Sequence, residues 1–138
     1  MKESILTIIN QYKEADDFSY TEVPDEMISA AEKELSLTLP EQYVEFLKTY
    51  GHGGIGGIST LGVGLDGSMV FVEETLDYRN DGLPLNLVII ENEDEWIYCI
   101  DSITGKVVSW DISGYIKEEF DCFDDYLLAQ MQDAIENL

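Results

Sequence analysis

Histidine, cysteine and basic residues are all scarce in this chain of 138 residues, and each scarcity removes a class of function. The single histidine, His52, has no second histidine with which to build a metal centre, and a serine nucleophile has no choice of histidine base. The two cysteines, Cys99 and Cys122, have no metal-ligand spacing and form no disulfide framework. Cys99 lies in an apolar, β-branched run and Cys122 near the start of a late helical pattern, so both read as buried free thiols. Lysine and arginine number 7 against 29 aspartates and glutamates, giving a net charge of −22. Such a surface repels nucleic acid and anionic membranes. No apolar run approaches the ~20 residues that span a bilayer. The short patch at residues 5–9 is interrupted by Thr7 and follows the acidic Glu3, unlike a secretion leader. These absences predict a cytoplasmic protein with neither membrane nor nucleic-acid partner.

What is present is enough to build an interior. Hydrophobic residues make up 45% of the chain and aromatics 11%, which predicts one packed domain over residues 1–138 and excludes wholesale disorder. The acids are unevenly spread. Residues 1–57 carry 11 acids and 4 bases, whereas residues 58–138 carry 18 acids and 3 bases. A charge of this sign and size attracts basic partners from a distance, although solubility alone also accounts for it.

Apolar periodicity divides the chain into helices, then strands, then a last helix. Met1, Ile5, Ile8, Ile9 and Tyr12 fall on one helical stripe within residues 1–14. A second helix is predicted over residues 24–35, with Pro24 in its first turn and Met27, Ile28, Ala31 and Leu35 inward. The third opens at Pro40, repeats Tyr43, Phe46, Leu47 and Tyr50 at helical spacing, and stops at Gly51. Beyond the glycine-rich residues 51–57 the period becomes 2. Short β-type runs are predicted at residues 58–63, 69–73, 87–90, 96–100 and 106–110. The last two connections, 92–94 and Thr104-Gly105, are short enough for hairpins, so an antiparallel meander follows. A closing helix is predicted over residues 121–137. The fold class is α+β: N-terminal helices, an antiparallel sheet of about five strands and a C-terminal helix.

Chemistry-bearing motifs are few. Gly51-His52-Gly53-Gly54-Ile55-Gly56 fits G-x-G-x-x-G, but it follows a helix and leads toward a strand, so no helix N-terminus stands ready for a pyrophosphate. It reads as a helix stop and a tight connection, and His52 as a residue beside a helix C-terminus. A calcium loop starting at Asp77 fails because Arg79 and Val88 stand where ligands belong. Residues 91–95, Glu-Asn-Glu-Asp-Glu, read as a solvated turn with at most weak cation affinity. No catalytic residue, cofactor or metal ligand is predicted, and the chain is expected not to be an enzyme.

What remains is an acidic surface carrying aromatics. Between Glu73 and Asp125 stand 15 acids and only three bases, Arg79, Lys106 and Lys117, with Trp96, Tyr98, Trp110 and Tyr115 among them. The candidate protein-binding residues are Glu73, Glu74, Asp77, Glu93, Asp94, Glu95, Trp96 and Tyr98. Strand alternation leaves two facings open for Trp96 and Tyr98: outward as interface anchors, or inward beneath the helices.

Glu32, Leu35, Leu39-Pro40, Tyr43, Phe46-Leu47, Tyr50-Gly51 and Gly53-Gly54 together read E..L...LP..Y..FL..YG.GG. This string resembles the opening of the SUKH superfamily, the Smi/Knr-type domains. Further matches follow in order: Tyr98-Cys99-Ile100-Asp101, Thr104-Gly105, Trp110-Asp111, and a closing helix with Phe123 and Tyr126-Leu127. The likeness covers roughly residues 25–130, and its glycine loop is similar to the YobK-like branch. It implies a protein-binding domain. Many bacterial members are immunity proteins that neutralise a secreted toxin, often a nuclease, and fungal members are signalling scaffolds. The resemblance therefore implies either an immunity protein whose partner is a cognate toxin, with a basic C-terminal domain as the natural target of an acidic chain, or a regulatory scaffold without a toxin. It transfers no catalytic residue and no contact residue.

Overall fold

The computed structural model describes residues 1–93 and 97–138; Asp94, Glu95 and Trp96 lie outside the described residues. The elements run α1 (Glu3–Tyr12), α2 (Asp25–Leu35), α3 (Glu41–Tyr50), α4 (Val70–Arg79), β1 (Leu87–Asn92), β2 (Ile97–Asp101), β3 (Val107–Trp110), β4 (Glu119–Phe120) and α5 (Phe123–Glu136). The strands form an antiparallel meander in the order β1-β2-β3-β4, so the architecture is α+β, with four strands among the described residues against the expected five or so.

The helices end where their chemistry dictates. Pro40 caps α3 with extended backbone, and Gly51 terminates it at φ 77°. Ser36 ends α2 in the left-handed conformation, and the Leu37 amide closes back on the Glu32 carbonyl at 3.1 Å. Tyr43, Phe46, Leu47 and Tyr50 form the buried face of α3 as their spacing predicts. Phe46 has no exposed surface, and its ring centre lies 5.7 Å from that of Phe123 on α5.

Two predicted strands are corrected. Residues 70–73 open α4 instead, with Met69 as its N-cap, and their β-branched side chains suit a strand as well as a helix start. Phe71, Val72 and Thr75 are its buried residues, a helical spacing hidden because one of the three is polar. Thr75 is buried for a reason: its Oγ1 donates to the Phe71 carbonyl at 2.7 Å and accepts from the Ile89 amide at 2.9 Å. Helix α4 thereby satisfies the outer edge of β1, which would otherwise present an unpaired amide. Residues 58–63 form single bridges in place of a strand, Thr60 with Gly53 and Val63 with Met69. The two-residue β4 has no counterpart among the predicted runs.

The sheet buries both faces. Val88, Ile90, Tyr98, Ile100 and Val107 join the main core with residues of α1, α2, α3 and α5. Leu87, Ile89, Ile97, Cys99, Val108 and Trp110 form a second cluster with Leu83, against which Tyr78 packs. The β1–β2 register slips between Ile89, opposite Cys99, and Glu91, opposite Tyr98. Ile90 is the extra residue of a bulge. Its side chain stays in the main core while the next residue, Glu91, also turns toward α5.

Candidate functional site

Glu91 terminates an apolar strand run, and the bulge sends its carboxylate inward, where the residue is only 3% exposed. Tyr126 of α5 donates its hydroxyl to Oε1, and the Gln130 amide nitrogen donates to both carboxylate oxygens at 3.1 and 3.3 Å. These partners are neutral. Burial pushes the Glu91 carboxyl upward; its two hydrogen-bond donors oppose that, and Glu93 and Glu118 add to it. A carboxylate desolvated in this way costs stability, which marks it as a functional candidate.

Above Glu91 opens a cleft of about 460 Å³ between the sheet and α5, walled by Glu93, Tyr98, Lys117, Glu118, Phe120, Gln130 and Asp133. Of the two facings open to Tyr98, the structure takes the inward one. Its ring lies 5.4 Å from that of Tyr126 and 6.3 Å from that of Phe120. Its hydroxyl donates to Glu118 Oε2 at 3.3 Å. Burial and the neighbouring Glu118 and Glu91 hold its pKa up at about 12, so the phenol stays a donor.

Beside the cleft, the β3–β4 connection projects apolar groups. Ile112 is 75% exposed, Tyr115 64%, and Ile116 about half. The connection is braced at both ends. Asp111 Oδ1 accepts from the Ser113 amide at 2.9 Å, and Ser109 Oγ accepts from the Lys117 and Glu118 amides at 3.0 and 2.9 Å.

The predicted site residues thus divide. Glu93 and Tyr98 come together in the cleft. Glu73, Glu74 and Asp77 stand on α4, where Glu73 and Asp77 are exposed and Glu74 accepts from Asn92 Nδ2 at 3.2 Å. Asp94, Glu95 and Trp96 fall outside the described residues. The spacing of the sequence gives no sign of Glu118, Gln130 and Asp133, and the reading of Glu91 as part of a solvated turn is corrected: it is a buried residue of β1. Only Glu91 carried a signal, as an acid closing an otherwise apolar strand.

One base, Lys117, lines the cleft itself. Lys2, Lys48 and Lys106 pair with Asp125, Asp25 and Glu119, and Arg79 donates to the Leu35 and Leu85 carbonyls. Among the described residues, no group of three or more His, Cys, Asp or Glu side chains is placed to hold a metal ion. No helix of the described residues is long and apolar enough to cross a membrane.

The glycine loop forms a second cleft of about 660 Å³. His52 Nδ1 accepts from the Gly62 amide at 2.9 Å, so Nε2 carries the ring proton toward Ser59 Oγ at 3.3 Å. In that tautomer the imidazole donates to Ser59 and supplies it no base.

Helices packed on a four-stranded meander, with a glycine loop after α3, define an α+β domain of the Smi/Knr kind. The SMI1-KNR4 cell-wall family matches residues 5–132, and the chain belongs to that family within the SUKH superfamily. It is similar in fold to a protein from Pseudomonas syringae pv. tomato known from its crystal structure. The TM-score is 0.71 at 22% identity, over 91% of this chain and 94% of that one.

Proposed function

We propose that this chain is a non-catalytic immunity protein, acting in the cytoplasm, that binds and blocks a cognate secreted toxin with a basic, nuclease-type domain. The observation that carries the reading is the cleft over Glu91: a buried carboxylate with only neutral hydrogen-bond partners, walled by Glu93, Glu118 and Asp133. A basic side chain entering from a partner adds positive charge to a cleft in which four carboxylates, Glu91, Glu93, Glu118 and Asp133, face one lysine, Lys117. Ile112 and Tyr115 on the adjacent connection give the apolar contact that slows dissociation, and the surrounding acids speed encounter. Family membership supports the same reading.

The test is co-expression with the toxin encoded beside this gene, scored by cell survival, together with binding rates at two salt concentrations. Reversing Glu93, Glu118 and Asp133 to lysine should slow association about tenfold at low salt and abolish protection. Tyr115→Ala should mainly speed dissociation. A wild-type protein that neither binds nor protects against that toxin would overturn the proposal and favour a regulatory scaffold.

A further inference from the structure

The second cleft, formed by the glycine loop and the segment before α2, also sets aromatic rings beside carboxylates, but with no base like the Lys117 of the first. Phe18 and Tyr20 line it, with the buried Tyr50 packed against them. The rings of Phe18 and Tyr50 lie 4.6 Å apart, and that of Tyr20 stands 5.8 Å from Phe18 and 6.1 Å from Tyr50. Tyr20 is the outermost of the three and is 52% exposed. It holds φ at 51°, a conformation uncommon for a tyrosine, and its amide is pinned to the Tyr50 carbonyl at 2.9 Å. The backbone therefore fixes the direction in which the side chain leaves the chain, and the contacts with Phe18 and Tyr50 place the ring.

The lining adds two carboxylates, Asp16 and Asp17, and no lysine or arginine. Asp17 commits Oδ2 to the Glu14 amide at 2.7 Å, while Asp16 is exposed. His52 also lines the cleft, but its Nδ1 is occupied by the Gly62 amide, so the imidazole is uncharged and does not repel a cation. An open aromatic face beside carboxylates is the environment that suits a guanidinium, which stacks on a ring and donates to an acid at once.

From this geometry we infer that the Tyr20 cleft is a second contact site for the partner, taking an arginine side chain from it. That the partner is a basic protein rests on the immunity reading; the arginine preference rests on the cleft itself. A lysine lacks the planar fork, and a neutral side chain leaves Asp16 and Asp17 unanswered.

The experiment titrates isotopically labelled protein with N-acetyl-arginine amide and follows the Gly53 and Gly54 amides and the Tyr20 ring by NMR. Saturable shifts centred on these groups are expected, and the uncharged citrulline counterpart should produce none. Tyr20→Phe should keep the affinity. Tyr20→Asn, whose residue tolerates the same backbone conformation, should raise Kd about tenfold. Equal binding of citrulline by the wild type overturns the inference even if the asparagine variant fails to fold. So do unchanged affinity in a folded Tyr20→Asn protein, or shifts confined to the cleft over Glu91. No toxin enters this experiment, so its failure leaves the immunity reading standing. Loss of that reading, judged by cell survival, leaves an arginine site without its basic partner.

Discussion

Glu91 stands opposite Tyr98 across the β1–β2 ladder, although unbroken pairing from Ile89 and Cys99 would have set Ile90 there. That one-residue slip places a carboxylate, where an isoleucine would otherwise stand, beneath α5.

The cost of this placement is measurable. Glu91 has a raised carboxyl pKa, so its contribution to stability is fully present below the unfolded value of about 4.3 and is lost as pH rises through the folded value. Above that folded value the ionised, buried group is a burden. Glu91→Gln should therefore raise the urea midpoint at pH 7, with glutamine still accepting from Tyr126 and the Gln130 amide turned over to match. The two proteins should converge below about pH 4.3. A midpoint that falls at pH 7 would show that the carboxylate is worth more to the fold than its desolvation costs.

His52 runs the other way. Burial lowers its pKa, so its contribution is present above the unfolded value of about 6.5 and is lost as pH falls through the folded value. Protonation of Nδ1 would also strand the Gly62 amide. The stability difference between the wild type and His52→Gln should shrink as pH drops below about 6.5, measured by denaturant titration at pH 5 and pH 7.5. A constant difference would refute the assignment.

Phe46 sits where α3 meets α5, sealed among Tyr43, Tyr50 and Phe123. Phe46→Ala should cost about 3–5 kcal/mol, read from chemical denaturation. An unchanged midpoint would mean that the α3 face is not the core.

Two glycines of one loop should respond differently. Gly53 has φ 123°, and a Cβ there would lie 2.0 Å from the Asp17 carbonyl oxygen. Gly57 has φ 86° and open space around that position. Gly57→Ala should cost about 1 kcal/mol, from backbone strain alone. Gly53→Ala should cost several times more and displace residues 17 and 18, visible as lost NMR protection of the Gly54 amide, which donates to Asp17 at 3.1 Å. Equal costs would refute the close approach.

How far the sequence alone reached depends on whether a signal was local. The helical stripe of Tyr43, Phe46, Leu47 and Tyr50, the stop at Gly51 and the meander of residues 87–110 are written in nearest-neighbour periodicity, and burial followed it. The acid surplus, too, is composition and needs no fold. Helix α4 was illegible because its identity depends on docking against β1, where Thr75 meets the Ile89 amide; its own residues start like a strand. The cleft was illegible for the same kind of reason. Glu91, Glu118 and Asp133 are separated by long stretches of chain, and only the bulge at Ile90 together with the packing of α5 brings them to one place. Tyr98 could face either way until α5 offered Tyr126 as a surface to pack on. Local periodicity set which segments fold and how; the site came from long-range packing, which no short window of sequence encodes.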